Sequence, residues 1–265
     1  MKSPNSTQTH HSLSTAFFVV ILFVVGTLLN IPFSRELKRL KIEAGNTSVK
    51  LSNSIATEII QTVVYGLIIG IIVVFVGLWL SKKAHLGAPV IESLFSKRKT
   101  IKLSNVFKGL LYFMGLSVVL ALVLLLIHKQ IRDAFPATSL IERPSKLYYA
   151  IVSFSAGITE EIIFRLGLMS FIIALIQRFK KGVKPSTTVV WVGIIITAVF
   201  FGLMHLPLSK NFSNLTLVTV SATMIGNLIT GSFFGWVYWK RGLLIAIIVH
   251  IVWDLVFHVM GSPYL

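Results

Sequence analysis

Apolar residues fill this chain in long, nearly uninterrupted runs that are separated by short polar segments. A helix of about 20 apolar residues crosses the hydrocarbon core of a membrane, whereas a membrane β-barrel would show short strands of alternating polarity. The long runs lie near residues 15–33, 58–80, 105–127, 147–177, 187–205, 214–239 and 243–260. The pattern therefore predicts an all-α integral membrane protein, a polytopic helical bundle of about seven transmembrane helices with an intramembrane polar site.

The composition supports a membrane protein and excludes several other classes. The 265 residues are 55% hydrophobic and 13% charged, whereas soluble domains are about 45–50% apolar and about 25% charged. The net charge of +16 comes from basic residues between the apolar runs, where anionic headgroups and membrane topology explain them. We therefore expect the lipid bilayer, and no nucleic acid, as a partner. The chain has no cysteine, which excludes disulfides, thiolate metal sites and a thiol nucleophile.

The polar features divide the chain into two regions. Residues 1–140 form an N-terminal membrane region of about three spans without a motif, and residues 141–265 hold about four spans with all the unusual polar residues. The loops on the N-terminal side carry more Lys and Arg than the opposite loops, which favours a cytoplasmic N-terminus. The long fourth run predicts a tilted helix, or a kink near Gly157. Gly231 and Gly235 have the spacing of a close helix–helix contact.

Six polar residues stand inside apolar runs, where a membrane protein rarely places them. Each charged side chain at mid-membrane costs about 2.5–3.5 kcal/mol on the mildest scale. These side chains must therefore face one another or a wet cavity. They are Glu160, Glu161, Arg165, His205, His250 and Asp254.

The spacing of these residues indicates which of them can meet. Glu161 and Arg165 are four positions apart and can form an ion pair within one helix. Glu160 points about 100° away around that helix, so it remains available for chemistry. His250 and Asp254 also project from one side of their span. Each feature alone has a structural explanation, such as a buried ion pair or a packing histidine, but together they occupy three separate spans and predict a site.

Three short motifs in this order resemble a known family. Glu160-Glu161-Ile162-Ile163-Phe164-Arg165 matches EExxxR, Phe201-Gly202-Leu203-Met204-His205 matches FxxxH, and His250-Ile251-Val252-Trp253-Asp254 matches Hxxx(N/D). The chain is thereby similar to the CPBP family of intramembrane proteases, which includes CAAX prenyl endopeptidases of the Rce1 type and bacterial relatives associated with bacteriocin immunity. The resemblance covers roughly residues 150–260, and residues 141–265 are expected to form its catalytic core.

The resemblance implies hydrolysis of a peptide bond within the membrane. Glu160 and His205 would activate water, Glu161 and Arg165 would hold the site together, and His250 with residue 254 would stabilise the oxyanion. An ionised Asp254 would repel an oxyanion, whereas the Asn of the prenyl endopeptidases can donate to one. Asp254 is therefore expected to be protonated, to orient His250 or to bind a metal.

A metal ion is a second open question. His205, His250 and Asp254 could together form a catalytic zinc site with water as the fourth ligand. The chain lacks an HExxH motif, and a Glu–His pair could activate water unaided. The sequence leaves both a metalloprotease with one divalent ion, such as zinc, and a metal-free mechanism open.

The sequence thus favours an intramembrane endopeptidase in a multi-pass protein of a bacterial plasma membrane. Its expected substrate is a peptide or protein, including one associated with the membrane. A catalytically silent immunity or scaffold protein of the same fold is the first alternative. A proton-coupled transporter is the second, because intramembrane Glu, His and Arg also mark proton relays. Transporters usually contain two related halves with broken helices, and no such repeat is evident here.

Overall fold

The fold is known from a computed structural model, which describes residues 13–51, 54–96, 101–136, 140–180 and 184–261. Within these ranges every regular element is helical. The helices are α1 (Leu13–Leu29), α2 (Ile31–Glu43), α3 (Ile55–Lys83), α4 (Pro89–Phe95), α5 (Leu103–Ala134), α6 (Lys146–Glu160), α7 (Ser170–Arg178), α8 (Thr187–Phe212), α9 (Leu217–Arg241) and α10 (Leu243–Asp254). A first π-helical segment, Glu161–Met169, joins α6 to α7, and a second, Leu255–Met260, continues α10.

The described helices confirm the all-α polytopic bundle. Six of them are long and apolar enough to cross a membrane, and one of the six combines α1 and α2 into a single stretch, Leu13–Glu43. The predicted count of seven spans is not confirmed. The difference is the fourth predicted run, which forms α6, the first π-helical segment and α7 in succession and contains Glu160, Glu161 and Arg165.

Local signals in the sequence explain where several helices begin and end. Ser54 and Ser186 accept hydrogen bonds from the backbone of Thr57 and Val189, which caps the N-termini of α3 and α8. Thr216 caps α9 through a reciprocal pair of bonds with Thr219. Gly242, with φ of 81°, separates α9 from α10, because this conformation suits a residue without a Cβ.

The helix that carries His205 is longer than the sequence indicated. The prediction placed its end at His205, directly before Leu206-Pro207, but α8 continues through Pro207 to Phe212. Proline removes one backbone donor and ordinarily disrupts a helix interior. Here the added turn carries Ser209, whose hydroxyl bonds to Thr223 of α9 at 3.1 Å. His205 therefore lies within a helix rather than at its end.

Gly157 permits a close approach between helices, and the kink near it stays a prediction. The α-helix runs past Gly157, and its hydrogen-bonding pattern changes only at Glu161. A Cβ added at Gly157 would lie 3.1 Å from the Ile251 backbone nitrogen and 3.2 Å from the Ile247 carbonyl oxygen. This glycine therefore allows α6 to lie against α10, which carries His250 and Asp254.

The bundle has two different ends. At one end, here called the basic end, α3, α7 and α9 finish while α5, α8 and α10 begin. At the opposite end, here called the cavity end, α2, α5 and α8 finish.

Helices from residues 1–140 pack directly on those of residues 141–265, as in the contacts of α1 with α6 and of α5 with α10. Gly231 and Gly235 pack against Ala198 and Ile194 of α8, in agreement with the small-residue spacing.

Candidate active site

The two neighbouring glutamates mark the point where α6 changes into a π-helix. Glu160 is the last residue of α6, and Glu161 begins the first π-helical segment. Single-turn π-helical segments occur frequently at functional sites. The Glu160 side chain is 26% exposed and the Glu161 side chain 0% exposed. The two carboxylates therefore face different surroundings although they are adjacent in sequence.

Glu161 connects two helices behind the site. Its Oε1 lies 2.9 Å from His250 Nδ1, and its Oε2 lies 3.4 Å from Arg165 Nε. Because a carboxylate accepts and does not donate, His250 Nδ1 carries the hydrogen of this bond. The Arg165 guanidinium also lies over the Phe201 ring, with its central carbon 5.2 Å from the ring centroid. Glu161, Arg165 and His250, here called the buried bracket, thus join the first π-helical segment to α10.

Four predicted side chains converge on one space in front of the buried bracket. Glu160 Oε1 lies 4.0 Å from His205 Nε2, and Glu160 Oε2 lies 3.8 Å from His250 Nε2. Asp254 Oδ1 lies 3.7 Å from the same nitrogen of His250. These separations exceed a direct hydrogen bond and leave room for a small molecule or a substrate atom between the groups.

The backbone carbonyl of Phe201 determines the tautomer of His205. His205 Nδ1 lies 2.7 Å from the carbonyl oxygen of Phe201. A carbonyl oxygen can only accept, so Nδ1 must hold a hydrogen. In the neutral ring Nε2 is then an acceptor, and it points toward Glu160. The i,i−4 spacing of Phe201 and His205 in the FxxxH motif makes this bond possible.

Glu161 and Asp254 lie near different nitrogens of His250. The orienting bond to His250 Nδ1 comes from Glu161, and Asp254 faces Nε2 instead. This contact between Glu161 and His250 joins residues that are 89 positions apart, so no local spacing pointed to it. Asp254 therefore belongs to the group of side chains around the open space.

The aromatic rings of Phe201 and Phe234 complete the site, and the sequence predicted a role for neither of them. Phe234 of α9 stacks on His250 with ring centroids 4.1 Å apart and planes 18° apart. Phe201 packs against the His205 ring, with centroids 4.5 Å apart. These contacts restrict both imidazoles. Phe201 begins the FxxxH motif and could have been identified, whereas Phe234 stands in no recognisable pattern.

The open space belongs to a cavity of about 1380 Å³ that extends toward the cavity end of the bundle. Glu160, His205, His250 and Asp254 line it, whereas Glu161 and Arg165 do not. Its walls also include residues of α2, α3 and α5, from the region in which no motif was found. The cavity is large enough for several residues of an extended peptide, since binding cavities for drug-sized ligands measure about 300–1,000 Å³.

The side chains that the sequence proposed as zinc ligands do not form a ready metal site. Over the described ranges, no group of three or more His, Asp or Glu side chains is arranged to hold a metal ion. His250 Nδ1 is engaged with Glu161 and His205 Nδ1 with Phe201. Only the Nε2 atoms and the carboxylates of Glu160 and Asp254 face the open space. The zinc site of His205, His250 and Asp254 therefore stays a prediction.

The family model for type II CAAX prenyl endopeptidase Rce1-like proteins matches residues 143–256 of the chain. This segment begins just before α6 and ends within the second π-helical segment, so it includes all six site residues. No curated protein and no solved structure matches the chain. Residues 143–256 are thus similar to Rce1-like type II CAAX prenyl endopeptidases, which supports the resemblance to the CPBP family.

Proposed function

We propose that this protein is an intramembrane endopeptidase in which Glu160 and His205 activate water for hydrolysis of a peptide bond. The Rce1-like domain supports peptidase activity as the general class. The observation that carries the specific proposal is the 4.0 Å separation between Glu160 Oε1 and His205 Nε2 across the cavity. One water molecule can bridge two acceptors at this distance.

The cavity gives each group a separate task. Water donates its hydrogens to Glu160 and to His205 Nε2, and its oxygen attacks the carbonyl carbon of the scissile bond. Glu160 takes the proton as the carbon–oxygen bond forms. When the carbon–nitrogen bond breaks, Glu160 returns that proton to the leaving amine. This is general base followed by general acid catalysis by one carboxylate.

His250 binds the carbonyl oxygen of the substrate in this mechanism. Its Nδ1 hydrogen is committed to Glu161, and its Nε2 faces the cavity between Glu160 and Asp254. In the protonated ring, Nε2 donates a hydrogen bond to the oxygen on which negative charge develops. A protonated Asp254 would donate in the same way, so the pair would serve as the oxyanion hole.

Glu161 and Arg165 of the buried bracket hold these groups in position and do not touch the substrate. Arg165 and Glu161 lie outside the cavity lining. Glu161 fixes the His250 ring through Nδ1, and Arg165 balances the charge of Glu161. A rigid second layer of this kind preserves the orientation of the reacting groups.

The proposal is tested by cleavage of a broad peptide panel with the detergent-purified full chain. Wild type is compared with Glu160→Gln, with His205→Ala and with the exposed control Glu142→Gln. We expect cleavage by wild type and Glu142→Gln and none by the first two variants. Full activity of Glu160→Gln would overturn the assignment of the base.

The same preparation tests the metal prediction. Metal content is measured for wild type, His205→Ala and His250→Ala, and cleavage is measured with and without a chelator. Metal lost in both variants together with chelator-sensitive cleavage would replace the proposed mechanism by a metalloprotease. Absence of cleavage over the whole panel would instead favour the silent immunity or scaffold protein.

A further inference from the structure

A second cavity lies on the outside of the bundle at the basic end, far from the candidate active site. It has a volume of about 530 Å³ and lies between the last turns of α3 and α7. Lys83 ends α3 and Arg178 ends α7, and both line this groove. Its residues share no member with the large cavity. The α3–α7 groove is therefore a separate feature.

The two cations of the groove have no carboxylate partner. Neither Lys83 nor Arg178 forms an ion pair with any described residue, and all nine acidic residues of the chain lie in described ranges. At the cavity end, by contrast, Arg35 pairs with Glu58 at 2.8 Å and Lys129 with Asp133 at 2.8 Å. The segments that form the basic end contain one acidic residue, Glu92 on α4. The groove thus presents uncompensated positive charge.

Trp79 places the groove at the membrane surface. The ring is 56% exposed, and Lys83 Nζ lies 3.6 Å above its centroid. Tryptophan is enriched where hydrocarbon meets headgroups. At the same end Trp191 packs against Trp239, with centroids 6.4 Å apart, and Lys240 lies 3.6 Å above the Trp239 ring. The Trp side chains therefore form a belt at this end, and the groove lies within it.

The inner part of the groove is apolar. Leu80 and Ala174 form its buried floor, while Phe171 and Leu175 are exposed along its wall. Cations at the rim and apolar side chains below them match an amphiphile with an anionic head and hydrocarbon chains. Basic pockets between transmembrane helices on one face of a membrane bind such lipid headgroups.

We propose that the α3–α7 groove is a binding site for an anionic phospholipid. Lys83 and Arg178 contact the headgroup phosphate, Trp79 lies at the level of the glycerol, and an acyl chain follows Phe171 and Leu175. Arg178 can bind two phosphate oxygens at once, whereas Lys83 acts as a point charge. This site does not depend on protease activity.

A lipid in the groove would connect the two helices that support the site. α3 packs against the first π-helical segment, and a Cβ at Gly77 would lie 2.8 Å from the Leu166 carbonyl oxygen. α7 continues directly from that segment. A ligand that binds only the folded protein stabilises it by mass action. Anionic lipid is therefore expected to raise the melting temperature of the full chain.

The test is a titration of the detergent-purified full chain with brominated phosphatidylglycerol, followed by quenching of Trp fluorescence. Brominated phosphatidylcholine provides a lipid without net charge, and inorganic phosphate is added as a competitor. The variants are Lys83→Gln, Arg178→Gln and the double variant that carries both substitutions. The control is Lys240→Gln, which lies above a Trp ring at the same end but outside the groove.

Saturable quenching by phosphatidylglycerol is expected, with its midpoint ~30-fold higher in the double variant, because two cations contribute about 1 kcal/mol each and about 1.4 kcal/mol is tenfold. Lys240→Gln should leave the midpoint unchanged. Both substituted residues are exposed, so the variants are expected to fold. Equal quenching by both lipids, an unchanged midpoint in the double variant, or an equal shift in Lys240→Gln would overturn the proposal. Loss of the phosphatidylglycerol quenching at inorganic phosphate concentrations below that of the lipid would assign the groove to free phosphate instead.

Discussion

Glu160 and Glu161 belong to two layers that differ in nearly every physical respect. The cavity layer contains Glu160 and His205, whose side chains are 26% and 25% exposed, and its groups lie 4.0 Å apart. The buried bracket contains Glu161 and Arg165, both fully buried, and Glu161 contacts His250 at 2.9 Å. The cavity layer is open to the cavity, whereas the bracket is closed and is held by the hydrogen bond between Glu161 and His250 and by the 3.4 Å ion pair between Glu161 and Arg165.

This difference separates chemistry from support. A group that exchanges protons must keep room for a substrate, so it cannot satisfy all its hydrogen bonds within the protein. A buried charged group that supports others needs an opposite charge beside it, since an unpaired buried charge is costly. Substitutions in the cavity layer should therefore change activity without changing stability, and substitutions in the bracket should change both.

Glu160→Gln is the largest expected effect on activity. The substitution keeps the size of the side chain but removes the proposed base, so cleavage should fall by about 10²–10⁴-fold. The free energy of unfolding should change by less than about 0.5 kcal/mol, as for other partly exposed positions. The measurements are initial cleavage rates and unfolding in mixed micelles. A large loss of stability would place Glu160 in the supporting layer and break the comparison.

Arg165→Met should reduce stability more than any substitution in the cavity layer. It leaves Glu161 buried without its charge partner, which costs about 3–5 kcal/mol. Adding Glu161→Gln should recover most of this loss, because the uncompensated charge disappears. The matched control is Lys129→Met, which breaks an exposed i,i+4 pair with Asp133 and should cost about 0.3–0.5 kcal/mol. Equal losses from both pairs would mean that burial of the Arg165 pair carries no energetic weight.

Gly157→Ala should disturb both layers together. The added methyl would press on the Ile251 backbone and separate α6 from α10, at a cost of about 1–3 kcal/mol. Cleavage should fall as well, since Glu160 and His250 are on the two separated helices. Gly115→Ala is the control, because a Cβ there meets nothing within 4 Å. The comparison of unfolding free energies and rates for the two variants decides this prediction, and a silent Gly157→Ala would contradict it.

Phe234→Leu is the smallest expected effect. It removes the ring stacked on His250 but keeps an apolar side chain. The loss of interaction energy between residue 234 and His250 should therefore be about 0.5–1.5 kcal/mol. The effect should appear mainly in kcat, because the orientation of His250 is loosened. Phe200→Leu on the exposed face of α8 is the control and should behave as wild type. An increase in KM alone would indicate that Phe234 contacts substrate.

The sequence predicted the contacts that lie within one helix better than those between helices. Helical geometry makes residues four apart neighbours, so the pairs Glu161–Arg165 and His250–Asp254 followed from spacing. The bond between Glu161 and His250 depends on how α6 lies against α10, and no local pattern encodes it. The same holds for Phe234, whose position depends on the packing of α9.

Hydropathy predicted the bundle but not the walls of its cavity. The apolar runs located the helices to within a few residues, except where α5 continued to Ala134, where α8 continued through Pro207 and where α2 followed α1 without a long loop. Helical residues of α2, α3 and α5 line the cavity as well, although their sequences show no motif. Many of these wall residues are apolar, and in the sequence of a membrane protein such residues cannot be distinguished from lipid-facing ones.

The first π-helical segment changes the direction in which the side chains of α7 point relative to those of α6. Bonding from i to i+5 adds a residue to the turn relative to an α-helix, so α7 is rotated from the direction that α6 would dictate. Glu160 can therefore face the cavity while Arg178, on the same continuous rod, faces the α3–α7 groove. A single deletion within residues 166–169 would turn α7 by about 100°. In such a chain Glu160 could still face the cavity only if Arg178 left the α3–α7 groove, and Arg178 could still face the groove only if Glu160 left the cavity.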